Sequence, residues 1–224
     1  PNLDSEGRVI GVVGTLKDMT DSVLSEVKLK QSFDKLQNAL GSTIQAISKI
    51  VETRDPYTSG HQERVARLAT AIACEMGLPD ELIESIRMAA TLHDVGKINV
   101  PAEILSKPKH LSEIEMGMVR MHSEVGYTIL APIEFPYPVA QIVAQHHERM
   151  DGTGYPAGLT GDNILLEARI LAVADVVEAM ASHRPYRPAF GIDKTLEELA
   201  RYRGTRYDEN VVGTCLKLFD ENLF

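Results

Sequence analysis

Two adjacent histidines, His146 and His147, run directly into the segment 151–156, which reads Asp-Gly-Thr-Gly-Tyr-Pro. A hydrophobic core does not require this combination, whereas neutral imidazole nitrogens are common ligands of transition metals. We interpret the segment as the end of a helix that delivers two metal ligands, followed by a loop that covers the site. This interpretation requires further ligands elsewhere in the chain.

Further histidines and two aspartates fall on or beside core-facing positions of predicted helices. A single buried histidine is usually a hydrogen-bonded core residue, but five in one small core would be costly to charge or to hydrate. Seven ligands exceed the three or four that one catalytic ion takes, and a carboxylate can bridge, so two metals that share Asp94 fit the count. The predicted ligands are His61, His93, Asp94, His122, His146, His147 and Asp175.

Capping and breaking signals divide the region after residue 52 into helices. Segments 59–62 (Ser-Gly-His-Gln) and 112–115 (Ser-Glu-Ile-Glu) have the form of a capping box, which predicts a helix start at each. The segment from Ile170 to Met180 is apolar on nearly all sides and predicts a buried helix, in which Asp175 needs a partner. No strand pattern follows residue 20. The main domain, residues 53–224, is therefore predicted to be all-α.

A strand pattern is confined to residues 1–20. Residues 9–16 are rich in β-forming side chains, and one or two strands are not stable alone in water. We therefore interpret residues 1–20 as the C-terminal remnant of a larger domain. The strand and its exit, Asp18-Met19-Thr20, resemble the closing segment of PAS sensor domains.

Residues 21–52 are predicted to form a connecting helix. The apolar residues between Asp21 and Val51 follow the 4-3-4-3 spacing of a coiled coil, without a proline to interrupt them. Over so short a span this spacing differs little from that of a helix that packs on its own domain. A homodimer through this helix and packing within one chain are both open. The stripe consists of Leu29, Phe33, Leu36, Leu40, Ile47 and Ile50.

The composition argues against several classes of protein. A net charge of -9 is unfavourable for coating a nucleic acid polymer, which requires concentrated Lys and Arg. No apolar run approaches the ~18 residues of a membrane span, and no signal-peptide pattern is present, so we expect no membrane segment and a cytoplasmic location. Cys74 and Cys215 lack a CxxC partner, and we expect two free thiols.

The order of these histidines and aspartates resembles the metal motif of the HD phosphohydrolase superfamily. The paired histidines and the Asp-Gly-Thr-Gly-Tyr-Pro run narrow the resemblance to the HD-GYP family of cyclic dinucleotide phosphodiesterases, over residues 53–224. The resemblance implies an all-α HD-domain helical bundle with two or three metals, often iron or manganese. By position it implies one metal held by His61, His93, Asp94 and Asp175, and a second held by Asp94, His122, His146 and His147.

The same resemblance assigns further residues. Lys97 matches the family's position for a cation that stabilises charge in the transition state, although a solvated lysine at a helix end is the simpler alternative. Arg184 and Arg187 match phosphate- and base-binding cations, and arginine can grip a phosphate with two N–H groups and stack on a purine. Tyr155 offers a ring face for guanine, although with Pro156 it also forms a rigid turn.

One position departs from the family. Some members carry a glutamate one turn before the first histidine and hold a third metal with its help, whereas this chain has Tyr57 there. A phenol is a much poorer ligand at neutral pH because its pKa is about 10. We therefore predict two divalent metal ions. His110 and His183 have no place in the ligand set and are expected at the surface.

The resemblance implies hydrolysis of cyclic di-GMP to linear pGpG, with further cleavage to GMP left open, under the control of an upstream sensor. Two ions held a few Å apart bind phosphate oxygens and lower the pKa of a water between them, which supports in-line attack at phosphorus. One alternative is a receptor or interaction module that keeps its metals and docks a partner, such as a diguanylate cyclase, through the Gly-Tyr-Pro loop. Another is a phosphodiesterase for cyclic GMP-AMP.

Overall fold

The computed structural model describes residues 2–11, 14, 17–55, 60–182, 189–221 and 223–224. The chain divides into two compact units, residues 1–43 and 44–224. Several residues with sequence-based expectations lie outside the described residues, and those expectations stay predictions. They are Tyr57, Ser59, His183, Arg184 and Arg187, together with part of the predicted strand 9–16.

The N-terminal residues form a short hairpin followed by a long helix. Strand β1 (Asn2–Leu3) pairs antiparallel with β2 (Val9–Gly11), and the Asp4 carboxylate accepts the backbone N–H of Arg8 at 2.8 Å in the turn. Helix α1 (Thr20–Glu52) agrees with the predicted connecting helix. The predicted strand extends beyond β2 into residues that are partly outside the described ones, and the likeness to a PAS domain stays a prediction.

The second unit is all-α, as predicted. No helix of the described residues combines the length and the apolar character needed to cross a membrane. Among the described residues, two 3₁₀ helices, Val95–Asn99 and Gly161–Asn163, connect longer helices. The α-helices of the unit are α2 (His61–Glu75), α3 (Asp80–Leu92), α4 (Ala102–Leu105), α5 (Glu113–Arg120), α6 (His122–Leu130), α7 (Val139–Gln145), α8 (Leu166–Ala181), α9 (Ile192–Arg201) and α10 (Glu209–Asp220).

Helix α8 lies at the centre of the core. Its residues Ile170, Leu171, Val173 and Ala174 are fully buried, which confirms the predicted buried helix. The helix packs against α2, α3, α7, α9 and α10. Burial of such aliphatic side chains is the main source of folding free energy. Asp175 is thus carried by a helix that is enclosed on nearly all sides.

One of the two predicted capping boxes is present, and the other includes Ser59, which lies outside the described residues. In α5 the Ser112 hydroxyl accepts the Glu115 N–H at 3.3 Å, and the Glu115 carboxylate accepts the Ser112 N–H at 2.7 Å. Helix α2 instead has Gly60 as its N-cap, in the left-handed region at φ 70°. Glycine adopts this conformation without steric cost, so the helix starts directly at His61. The Gly60 N–H donates to the carboxylate of Glu52 at 3.0 Å.

Gly96 allows the 3₁₀ helix Val95–Asn99 to lie against α6. A Cβ atom at Gly96 would lie 1.9 Å from the carbonyl oxygen of His122 and 2.6 Å from the backbone nitrogen of Gly126. Only a residue without a side chain permits this backbone contact. The contact brings Asp94 and His122, which come from different helices, into one site.

We expect the substitution Gly96→Ala to destabilise the fold by at least about 2 kcal/mol, because the added methyl group meets backbone atoms that cannot rotate away. The matched control is Gly117→Ala in α5, where an added Cβ meets no atom within 4 Å and alanine favours the helix. Urea unfolding followed by circular dichroism measures both. Equal midpoints for the wild type and Gly96→Ala would contradict the close contact.

Candidate metal centre

The structure brings the seven predicted ligands into one cluster. Six of them are almost completely buried, and the side chain of His147 is 18% exposed. They come from the first residue of α2, the end of α3, the start of α6, the end of α7 and the middle of α8. Within each of two subsets, the ligand atoms lie within 4.8 Å of one another. We name these subsets the first group (His61, His93 and Asp94) and the second group (His122, His146 and His147).

Asp94 lies between the two groups. Its Oδ2 atom is 3.6 Å from Nε2 of His93 and 3.8 Å from Nε2 of His61. Its Oδ1 atom is 3.8 Å from Nε2 of His122 in the second group. One oxygen thus faces each group, which is the arrangement that a bridging carboxylate requires.

Asp175 also reaches both groups. Its Oδ1 atom is 3.2 Å from Nε2 of His61 and 3.8 Å from Nε2 of His93, while Oδ2 is 3.9 Å from Nδ1 of His147. The sequence-based scheme assigned this aspartate to the first metal alone. The geometry therefore adds a second carboxylate that extends from one group to the other.

Backbone carbonyls fix the orientation of three histidine rings. Each Nδ1 atom lies beside the carbonyl oxygen three residues earlier, and a carbonyl only accepts, so the ring donates its proton there. The Nε2 atom of each neutral ring is left with a free lone pair. The bonds run from His93 to Ala90 at 2.7 Å, from His122 to Val119 at 2.7 Å and from His146 to Val143 at 2.6 Å.

Two of these lone pairs face each other. Nε2 of His122 lies 3.2 Å from Nε2 of His146, and burial lowers the pKa of both rings, so that neither carries a second proton at neutral pH. Burial also lowers the pKa of His147. Two lone pairs at this distance repel each other, whereas a cation between them is attracted to both. The chemistry of the donor set therefore fits a metal ion.

The first group differs in its protonation. Burial by itself lowers the pKa of His61, but hydrogen bonds to Asp175 and Glu178 raise it to about 9. A metal at Nε2 of His61 must displace a proton at neutral pH, so its affinity increases as the pH rises towards that value. Burial by itself raises the pKa of Asp94, but the positive charge of Lys97 beside it holds that pKa well below its usual range. Asp94 is therefore a charged ligand.

Glu178 orients His61, and the sequence reasoning missed it. Its side chain is 6% exposed, and one carboxylate oxygen contacts Nδ1 of His61. Arg64 and Ser182 donate to the other oxygen at 2.9 and 2.7 Å. A carboxylate on the far nitrogen of a ligating histidine fixes the ring and makes it a stronger ligand. The available signal was its position three residues after Asp175, on the same helix face.

Lys97 lies beside the carboxylate that connects the groups. Its Nζ atom is 2.7 Å from Oδ2 of Asp94 and 3.8 Å from a carboxylate oxygen of Asp55, and its side chain is 13% exposed. The lysine is therefore held at the site and is not a freely solvated residue at a helix end. Its catalytic role stays a prediction. His110, in contrast, is exposed, as expected.

The loop after His147 is held by Glu148, which the sequence reasoning also missed. The Glu148 residue is 3% exposed, and its carboxylate accepts the backbone N–H groups of Ala157 at 2.7 Å and Leu159 at 3.0 Å. These bonds fold the loop back against the end of α7. The ring of Tyr155 then lies 4.8 Å from the ring of His147, in contact with the second group.

A cavity opens beside the second group. It has a volume of about 330 Å³ and is lined by His147, Tyr155 and the side chains of Arg120, Arg149 and Arg206, together with loop residues. We name it the arginine cavity. The sequence reasoning singled out none of these arginines. A larger cavity of about 690 Å³, between α1, α2 and α3, contains none of the seven ligands.

The all-α fold and the cluster of buried imidazoles and carboxylates together define a metal-binding helical domain. A family model described as the HD domain matches residues 45–211, and the chain belongs to this family. The Bd1817 protein of Bdellovibrio bacteriovorus, whose structure is described as that of a HDG"Y"P protein, has a TM-score of 0.63 and 18% identity over 85% of this chain and 64% of that chain. That likeness is one of fold alone.

Curated relatives are more similar in sequence. The cyclic di-GMP phosphodiesterase response regulator RpfG of Xanthomonas campestris is 40% identical over 194 residues, which cover 86% of this chain and 51% of the relative. The 3'3'-cGAMP-specific phosphodiesterase 3 of Vibrio cholerae is 42% identical over 153 residues, which cover 68% of this chain and 33% of the relative. The chain thus spans about half the length of the first relative and a third of the second.

We expect Glu178→Gln to weaken metal binding by about 10- to 100-fold, because the neutral amide no longer stabilises the liganded form of His61. The matched control is Glu197→Gln, which makes the same change at an exposed position on α9. Competition with a chromophoric chelator gives the metal affinities, and circular dichroism checks the fold. Equal affinities for Glu178→Gln and the wild type would contradict the role of this carboxylate.

Proposed function

We propose that the chain is an HD-GYP phosphodiesterase that hydrolyses cyclic di-GMP to linear pGpG, with further cleavage to GMP left open. The observation that carries the proposal is the complete cluster of seven ligands beside a cavity lined by cationic and aromatic side chains. Support also comes from the relatives, because the Xanthomonas protein and a Thermotoga maritima relative, 36% identical over 200 residues, are both called cyclic di-GMP phosphodiesterases.

Two divalent ions, iron or manganese, are proposed as the cofactors, since imidazole and carboxylate ligands suit both. When bound, such ions supply Lewis acids that polarise the oxygens of a phosphodiester. His61, His93, Asp94 and Asp175 would hold one ion, and His122, His146 and His147 would hold the other together with Asp94. The number of ions remains part of the proposal.

The remaining proposed roles concern the substrate. Lys97 stabilises negative charge on the oxygens of the scissile phosphate, for which its position beside Asp94 is suitable. Tyr155 stacks on a guanine next to His147. Arg184 and Arg187 bind phosphate and base, a role that rests on the family resemblance. Regulation by an upstream sensor, a cytoplasmic location and a contact of the Gly-Tyr-Pro loop with a diguanylate cyclase are further parts of the proposal.

The substitution Asp94→Ala tests the enzyme assignment. We expect hydrolysis of cyclic di-GMP by the iron- or manganese-loaded protein to fall by at least about 100-fold, because the carboxylate that faces both groups is lost. Asp220→Ala, an exposed position at the end of α10, serves as the control and should retain full activity. Chromatographic separation of pGpG and GMP measures the rate and the product.

Two outcomes would favour the alternatives. Equal turnover by the wild type and Asp94→Ala, or tight binding of the dinucleotide without turnover, would point to a receptor or interaction module. A higher rate on 3'3'-cyclic GMP-AMP than on cyclic di-GMP would make cyclic GMP-AMP the proposed substrate. Cyclic GMP-AMP as the substrate has a specific basis, since three Vibrio cholerae relatives at 35% to 42% identity are called cGAMP-specific.

We further propose that the protein forms a homodimer through α1. The apolar residues of the predicted stripe are exposed, with Leu29 at 72% and Leu36 at 70%. Exposure at this regular spacing is unfavourable in water and is relieved when two such helices pair. The alternative is that the stripe packs on its own domain.

We expect Leu36→Glu to weaken dimerisation by at least about tenfold, because it puts a charge into the apolar seam. The control is Asn38→Glu, which introduces the same charge on the opposite side of the helix. Analytical ultracentrifugation over a range of concentrations measures the dimer dissociation constant. A wild type that stays monomeric at every concentration, or equal constants for the two variants, would contradict a dimer through this stripe.

A further inference from the structure

Three arginines from separate parts of the chain converge on the arginine cavity. Arg120 is the last residue of α5, Arg149 follows His147 by two residues, and Arg206 lies between α9 and α10. Because the elements are separate, the convergence is a property of the fold and not of one basic stretch of sequence. Their proximity to His147 places the positive charge next to the candidate metal centre.

No carboxylate of the described residues forms an ion pair with these guanidinium groups. None of the three forms an ion pair within the described residues, in contrast to Arg169, which contacts both Asp162 and Asp208. Asp151 lies near enough to Arg206 to be influenced by its charge, but its carboxylate instead accepts the N–H and hydroxyl of Thr153 at 3.0 and 2.6 Å. In the described part of the chain, three cations without an ion-pair partner thus surround one cavity, and such a cluster attracts an anion.

Each guanidinium lies over the ring of a tyrosine. Attraction to the ring electrons holds a guanidinium over the ring, and its several N–H groups include ones that can still bind an oxyanion. The distances from guanidinium carbon to ring centroid are 5.4 Å for Arg120 over Tyr155, 5.2 Å for Arg149 over Tyr207 and 4.1 Å for Arg206 over Tyr202.

Hydrogen bonds to backbone carbonyls fix the loops that carry Arg149 and Arg206. The N–H of Met150 donates to the carbonyl oxygen of Arg206 at 3.0 Å, and the N–H of Gly161 donates to the carbonyl oxygen of Met150 at 3.1 Å. The side chain of Arg149 donates to the carbonyl oxygen of Glu148 at 3.0 Å. The cationic groups are therefore positioned before a ligand arrives, which lowers the entropic cost of binding.

A cyclic dinucleotide carries two phosphodiester groups in one small ring. When one of them lies on the histidine and aspartate cluster, the other lies within the width of the ring, and His147 belongs to both the cluster and the cavity wall. We propose that Arg120, Arg149 and Arg206 bind this second phosphodiester, the one that is not being hydrolysed. The proposal rests on the proposed function and deepens it, since it explains recognition of a cyclic dinucleotide over a simple phosphodiester.

The test uses two substrates that differ at one phosphate, where the second has a methyl group in place of a charged oxygen. One is cyclic di-GMP, and the other is its analogue with a single neutral methylphosphonate, which keeps one charged phosphodiester for hydrolysis. We expect the wild type to show a KM about tenfold higher for the analogue, because charge-assisted hydrogen bonds are lost. In Arg206→Gln the KM for cyclic di-GMP rises by about tenfold, and the difference between the two substrates largely disappears.

The matched control is Arg201→Gln. This arginine lies over the same Tyr202 ring, at 5.3 Å, but does not line the cavity. The substitution removes the same charge from the same region but leaves the lining of the cavity unchanged, so we expect the KM values of this variant to equal those of the wild type. Circular dichroism checks the fold of each variant. Arg120→Gln, on a different element, provides the same test if Arg206→Gln does not fold.

Three results would overturn the inference. Unchanged KM values in both Arg206→Gln and Arg120→Gln, in a wild type that hydrolyses cyclic di-GMP, would remove the arginines from substrate binding and leave the proposed function intact. An equal rise in KM for the charged and the neutral substrate would assign the arginines to a guanine base. A wild type that hydrolyses no cyclic dinucleotide would refute the proposed function and the inference with it.

Discussion

Unprotonated imidazole nitrogens repel each other when they face one another inside a protein, and this fold holds two of them, on His122 and His146, 3.2 Å apart. The rings cannot turn away, because each Nδ1 atom donates to a carbonyl oxygen of the backbone that carries it. Neither ring can relieve the repulsion by taking up a proton, because burial lowers both pKa values. Folding energy from the surrounding aliphatic core is thus used to preassemble a site that only a cation satisfies.

Carboxylates outside the ligand set hold the parts of this site together. Glu178 connects α8 to the first residue of α2 through His61, and Glu148 connects the end of α7 to the loop that carries Tyr155. A buried carboxylate is stable only where it is fully hydrogen-bonded, so each of these glutamates determines the local backbone. The candidate metal centre and the candidate substrate surface therefore each depend on a buried carboxylate outside the ligand set.

The sequence was sufficient to predict an all-α domain and inward-facing histidines, because those residues continue apolar stripes with helical spacing. It also contained a signal for Glu178, three residues after Asp175, although a glutamate alone on a buried helix does not indicate its partner. Arg120 and Arg206 could not be found in this way, since they converge only in the folded chain and belong to no periodic pattern. The start of α2 was misplaced because the left-handed conformation of Gly60 depends on its tertiary contacts.

The bond from the Gly60 N–H to the Glu52 carboxylate has a mechanical consequence. Glu52 is the last residue of α1, and Gly60 immediately precedes His61, the first residue of the cluster. A rotation of the C-terminal end of α1 that withdrew the carboxylate would leave the amide without its acceptor and would release the first turn of α2. The end of α1 is thus connected to the first histidine ligand by one hydrogen bond and one peptide unit, so that a movement of α1 can shift this ligand.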